Sequence, residues 1–345
     1  MTGDAEIIFE RRGAVGLITL NRPKALNALT HAMCISMKQQ LADWALDDAI
    51  ACVVIQGEGE RAFCAGGDIR ALYESGRAGT QYIFDFYRDE YLLNAAIKHY
   101  RKPYIALLSG IVMGGGVGVS VHGSHRVADE SMLFAMPETG IGLFPDVGGS
   151  FFLPRLPGAL GMYLGLTGAR LKTDDARFTG IATHVVARTK REALLSRLSH
   201  GEAPDEVLEA LREKDQVAQL AELSDKIDAI FSADTVEEIL ARLDADDAEW
   251  SRDNAKTIRA KSPTSTKLAF CQIRNGGSLS FDDCMRMEFR MVNRVIAGHD
   301  FYEGVRATII DKDGTPKWRP GALADVRDKD IDAYFAPLAD KELPL

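Results

Sequence analysis

No apolar run in this chain is long enough to cross a bilayer as a helix. Basic residues are not in excess either: 41 Lys and Arg stand against 50 Asp and Glu, a formal net charge of −9. That balance argues against general binding to nucleic acid or to an anionic membrane, both of which need a cationic surface. Cysteine is scarce, and Cys34, Cys52, Cys64, Cys271 and Cys284 include no CxxC pair. Neither a disulfide framework nor a thiolate metal site is written into that spacing. The seven histidines show no ligand spacing, so no metal is expected, and His122 and His125 read as structural. The opening residues MTGDAEIIFERRG carry acids and have neither the apolar run of a signal peptide nor the basic, acid-poor look of a transit peptide. A cytoplasmic protein is the expectation.

The 345 residues, 46% of them apolar, suffice for a large core, and no repeat or low-complexity linker divides them. The first third alternates β-type and helical runs. Residues 14–20, 51–56 and 104–109 are apolar, β-rich runs that read as buried strands, with 125–129 and 132–135 as further strands. Thr30 is placed to cap a helix carrying Met33, Met37, Leu41 and Trp44, and a second long helix is predicted over 82–98. This order implies an α/β fold with helices on a mostly parallel sheet. Beyond about residue 188 the pattern is almost wholly helical, with capping boxes at Thr235/Glu238 and Asp300/Glu303 and helix starts at Ser262 and Ser280. The domain reading is an α/β core over 1–190 and a helical extension over 191–345.

Two glycine-rich segments carry the chemistry: FCAGGDI (Phe63 to Ile69) and GIVMGGGVG (Gly110 to Gly118). Glycine lets backbone N–H groups approach a ligand, and two such donors aimed at one point make an oxyanion hole. Asp68 is placed to cap the next helix, which leaves the N–H of Gly67 free. Gly114 to Gly116 follow a strand and open an apolar helix. One such segment alone reads as a tight turn; two of them, with an acid loop downstream, point to acyl chemistry.

That loop is FAMPETGIGLFPDVGG (Phe134 to Gly149), in which Glu138 follows Pro137 and Asp146 follows Pro145. Proline stiffens the backbone around both acids, and Gly140 and Gly142 allow the loop to fold back on one ligand. The alternative is a cap at Glu138 and a turn at Asp146 with Gly148 and Gly149. It is weaker for Glu138, whose apolar neighbours in sequence should raise its pKa.

Together with NRPKALNAL (Asn21 to Leu29), these segments resemble the crotonase (enoyl-CoA hydratase/isomerase) superfamily, whose members bind coenzyme A thioesters. GGGVG, the acid loop, LPRL, GIATH, SPTS, GHDFYEGVRA and DKDGTPKW are similar to the 3-hydroxyisobutyryl-CoA hydrolase family within it, over roughly residues 5 to 320. The resemblance implies a spiral core of ββα units with a helical C-terminal region. It places oxyanion donors on the N–H groups of Gly67 and Gly115, makes Glu138 the main catalytic carboxylate and Asp146 its partner, and gives Glu90 a substrate contact. It assigns Lys24, Ala25, Leu26 and Gly66 to coenzyme A, which belongs to the substrate, so no separate cofactor is implied. Arg22 reads almost as well as a surface cation. Glu90 also stands on its own residues: it shares a helical face with Phe86, Tyr87 and Leu93, a costly place for an idle charge unless it turns to the solvated edge. Superfamily members often form trimers or pairs of trimers, so a homo-oligomer stays open beside an extension that covers its own site.

Hydratases of the superfamily carry an acid at the end of a GGGxE-type string, where this chain has Gly118, and they usually have a small residue where it has Asp146. The displaced acid pair suits attack at a thioester carbonyl. The expected activity is hydrolysis of a short hydroxyacyl-CoA in valine breakdown. An enoyl-CoA hydratase or isomerase and a non-catalytic acyl-CoA-binding protein are the competing readings.

Overall fold

Alternating side chains on a parallel sheet give the fold its first buried layer. The computed structural model describes residues 5–345; the first four residues of the stretch read for a leader lie outside the described residues. Ten strands form among the described residues: β1 (Ile7–Arg12), β2 (Val15–Leu20), β3 (Cys52–Gly57), β4 (Ala62–Cys64), β5 (Tyr104–Leu108), β6 (Ile111–Met113), β7 (His125–Ala128), β8 (Leu133–Ala135), β9 (Leu171–Lys172) and β10 (His184–Val185). Six of them make one sheet in the order β1-β2-β3-β5-β7-β10, and β4-β6-β8-β9 make a smaller one. In the larger sheet only β1 runs antiparallel to its neighbour.

The described chain sorts into two compact units, each assembled from three stretches. The first takes the residues up to Gly67, then Leu92–Phe134 and Arg170–Glu222; the second takes Asp68–Tyr91, Ala135–Ala169 and Leu223–Leu345. The cut expected near residue 190 followed secondary structure, and no strand lies beyond β10 among the described residues. Compactness divides the chain otherwise.

In the first unit, Val15, Leu17, Cys52, Val54, Ile105, Leu107 and Val127 point to one face and pack with Leu194, Leu195, Leu198, Val207 and Leu208. Period-two alternation sends the intervening residues to the opposite face. There the helix His31–Leu46, capped by Thr30 accepting from the Met33 amide, buries Met33, Met37, Leu41 and Trp44. Gly16 makes room for the Trp44 ring: a Cβ at that position would lie 2.6 Å from it. Gly116 does the same for backbone, since its Cβ would meet the Cys64 carbonyl oxygen at 2.2 Å.

The second unit is mostly helical. Ser262 accepts from the Ser265 amide and Ser280 from the Asp283 amide, starting the helices Pro263–Gly276 and Phe281–Val295 as predicted. Thr235 caps its helix through the Glu238 amide, but the Glu238 carboxylate reaches the Asp234 amide rather than that of Thr235. The expected box at Asp300/Glu303 does not form. Asp300 instead accepts from Ser262 Oγ and the Arg319 amide, while Glu303 accepts from its helical neighbour Arg306 and from the Lys317 amide.

Gly116→Ala is expected to cost about 1–3 kcal/mol through backbone overpacking. Gly277→Ala, whose Cβ would find only ordinary contacts at 3.5 Å or more, should change stability little. Urea midpoints of the two variants check the difference.

Candidate active site

In the first unit the first of the two glycine segments is stitched to the NRPKALNAL turn. The Ala65 amide donates to the Leu26 carbonyl (3.0 Å) and the Leu29 amide to the Gly66 carbonyl (2.8 Å). Asn27, buried and in the left-handed region at φ 56, locks the turn by donating to the carbonyls of Ala62 (2.8 Å) and Glu58 (3.0 Å). Lys24 and Ala25 stay exposed on a single 3-10 turn. Arg22 is no idle surface cation: it meets the Glu6 carboxylate at 3.1 Å and donates to the Ala28 carbonyl at 2.7 Å. Gly66 has φ +125, a conformation suited to glycine, and a Cβ there would lie 3.9 Å from the Gly115 nitrogen. Leu26, Gly66 and Gly115 are therefore neighbours. The amides of Gly67 and Gly115 make no hydrogen bond to an acceptor among the described residues. Asp68 accepts from the Ala71 amide, the cap the sequence suggested.

The second unit gathers the acids. Glu138 opens the 3-10 turn Glu138–Ile141 directly after Pro137. Asp146 sits in a turn closed by the Gly149 amide on the Asp146 carbonyl (2.8 Å). The loop does fold back: Asp146 lies close enough to Glu138 to oppose its ionisation. Glu90 is 2% exposed, Glu138 and Asp146 4% each, so Glu90 does not turn to a solvated helix edge. Tyr91 donates to Asp146 Oδ2 at 2.9 Å. Glu138 Oε2, Glu90 Oε1 and the Tyr87 hydroxyl are buried without a hydrogen-bond partner. Leaving such groups unpaired is costly, and three in one place call for an explanation beyond packing.

Burial pushes every carboxyl here upward. Glu138 is raised by desolvation and then by Asp146; Glu90 likewise. Burial lifts Asp146 to about 7, against the downward pull of the Tyr91 hydrogen bond. Glu288, fully buried, is lifted to about 8 by desolvation, although Ser150 and the Gly148 amide pull it down. Lys261 stands near Glu138; burial lowers its pKa and Glu138 raises it. Tyr87 and Tyr91 are held protonated by burial and then by Asp146, so both remain donors.

The sequence reading missed Tyr87, Tyr91, Lys261 and Glu288. For Glu288 a signal was there: it interrupts the buried stripe Met285, Phe289, Val292. His125 joins Ser124 (2.8 Å) and Asp205 (2.9 Å), a structural role. No group of three metal-capable side chains occurs among the described residues.

The linkage has a definite sign. Between the unfolded carboxylate range near pH 4 and the raised folded values, the native state keeps protons that the unfolded chain has lost, so stability falls as pH rises. Urea unfolding should give a higher stability at pH 5 than at pH 8.5. Asp146→Asn should flatten that decline by on the order of 3 kcal/mol. A decline equally steep in the variant would contradict the assignment.

Sequence and structure comparisons agree on the lineage. The family described as Enoyl-CoA hydratase/isomerase matches residues 15–335. A Danio rerio protein named "3-hydroxyisobutyryl-CoA hydrolase, mitochondrial" is 49% identical over 99% of this chain and 92% of its own length. A solved structure titled as a carnitinyl-CoA dehydratase from Mycobacterium thermoresistibile superposes with TM-score 0.94 at 42% identity, covering 99% of this chain and 98% of its own. Another, titled as an enoyl-CoA hydratase from Rhodobacter sphaeroides, gives 0.92 at 39% identity, covering 99% and 100%. The α/β strands, the helical C-terminal region and these matches together make the chain a member of the enoyl-CoA hydratase/isomerase family, the crotonase superfamily.

Proposed function

We propose that this protein hydrolyses the thioester of 3-hydroxyisobutyryl-CoA to 3-hydroxyisobutyrate and free coenzyme A, the activity for which its Danio rerio relative is named. One observation carries the choice: Glu138 and Asp146 share a buried acid loop, while the buried helical turn after β6 ends in Gly118, with no carboxylate there. A hydratase needs two acids holding one water above a double bond. An acid pair on one loop, with a buried unpartnered oxygen on Glu138, suits attack at a carbonyl carbon.

In this reading the amides of Gly67 and Gly115 bind the thioester oxygen and stabilise the charge that develops on it, a term worth about 3 kcal/mol per donor. Glu138 either attacks the carbonyl carbon to form a transient anhydride or takes a proton from the attacking water. Asp146, held by Tyr91, orients the water or the substrate hydroxyl and passes the proton to the departing thiolate. Glu90 contacts the acyl group. Lys24, Ala25, Leu26 and Gly66 hold the coenzyme A portion, which is substrate, so no further cofactor enters. No helix among the described residues is long and apolar enough to cross a membrane. Cys52, Cys271 and Cys284 are free thiols, which supports a reducing compartment. The cytoplasm is our assignment, whereas the relative's name says mitochondrial. The second reading, a hydratase or dehydratase, is favoured by the titles of the two solved relatives.

Thiol release across short acyl- and hydroxyacyl-CoA esters, read with a thiol reagent, decides between them. Loss of enoyl absorbance without free thiol would overturn hydrolysis, and no turnover of any ester would favour a binding protein. Glu138→Gln should lower thiol release by about 10²–10⁴-fold. In oxygen-18 water with enzyme in excess, a first turnover that labels Glu138 and leaves the product acid unlabelled establishes the anhydride route, whereas label in the product acid alone eliminates an anhydride opened at the Glu138 carbon.

A further inference from the structure

Asp146 is carried by a turn that the chain does not adopt willingly. Val147 has φ 51 and Gly148 φ 88, two successive left-handed residues, the first of them β-branched. A β-branched residue there is strained and persists only where surrounding contacts dictate it. Those contacts come from two later helices. From Phe281–Val295, Glu288 accepts from the Gly148 amide with Oε2 (2.8 Å), and with Oε1 from the Ser150 amide (2.9 Å) and Ser150 Oγ (2.5 Å). From Pro263–Gly276, Gln272 Nε2 donates to the Pro145 carbonyl at 2.7 Å. Gly276 lets that helix come close, since a Cβ there would lie 1.9 Å from the Ser150 carbonyl oxygen. The residue after Glu288, Phe289, packs edge-on against Tyr91 at 6.3 Å, and Tyr91 holds the Asp146 carboxyl.

We propose that Glu288 is a positioning residue: it clamps the Pro145–Ser150 turn in its strained form and so aims the Asp146 side chain at the reacting centre. The proposal rests on the reading of Asp146 as part of the hydrolytic site. Glu288 itself touches no substrate. Both its oxygens are occupied by backbone and hydroxyl donors, and it is fully buried. A carboxyl group is the side chain that can meet two amides and a hydroxyl at once. Glutamine keeps the volume but turns one acceptor into an amino group that faces an N–H donor. The titratable groups that face Glu288 are Asp146, Glu138, Tyr91 and Cys284, so its substitution also alters the field in which Asp146 ionises.

Glu288→Gln should lower kcat by about 10- to 100-fold per folded molecule, as expected for a misdirected catalytic group, with KM changed less than about threefold. The acidic limb of the pH–rate profile should move with it. Ser150→Ala, which deletes one of the three donors, should shift both in the same direction to a smaller degree. A folded Glu288→Gln enzyme with unchanged kcat and pH profile overturns the proposal. If that variant does not fold, unchanged values for Ser150→Ala overturn it. A double-mutant cycle separates this from the hydrolase reading: the pH dependence of unfolding is measured for Asp146→Asn alone and combined with Glu288→Gln or Ser150→Ala. Coupled effects support the clamp and additive ones reject it, even if the wild-type protein releases thiol from none of the esters, which would reject hydrolysis alone.

Discussion

Four carboxyl groups buried within one compact unit dominate the energetics of this molecule. Glu90, Glu138, Asp146 and Glu288 are each at most 4% exposed. Charging all of them together in a low-dielectric interior is prohibitive, so burial raises them all. Their environments nonetheless differ. Glu288 is surrounded by donors, and Asp146 has the Tyr91 hydroxyl. Glu138 and Glu90 each keep an oxygen with nothing to accept from. One pair is satisfied by the protein, and the other is not. This division among like groups is the ground on which we propose the cluster as a site.

The two glycine segments follow a different logic, in which close backbone approach is made possible by removing side chains. Gly66 adopts a backbone that suits glycine and brings its segment beside Gly115. Gly116 allows the helical turn to sit on the Cys64 carbonyl. The buried Asn27 then ties the NRPKALNAL turn to the same place through two carbonyls. On the proposed reading, backbone stitching sets the donor geometry and costs no side-chain ordering when a substrate arrives.

Much of this was legible in the residues. The strands at 15–20, 52–57 and 104–108, the helix 82–98 and the caps at Thr30, Asp68, Ser262 and Ser280 announce themselves through local periodicity and hydrogen-bonding side chains. Glu138 and Asp146 stood out because prolines precede them in apolar company. Asp300 misled, since a capping pattern is local while its partners, Ser262 and Arg319, are not. Tyr91 escaped for the same reason, acting on a residue 55 positions away, whereas Glu288 left a local mark in its apolar stripe but none that named its partner 140 positions away.

The same separation bears on how the molecule is made. A chain emerging from the ribosome exposes the Pro145–Ser150 turn 138 residues before the side chain that holds the Ser150 amide. Until the helix Phe281–Val295 has been synthesised and docked, the Gly148 and Ser150 amides lack the carboxylate that receives them, and the left-handed Val147 is held by fewer contacts. The turn thus receives the last acceptor for its backbone amides from the final quarter of the polypeptide.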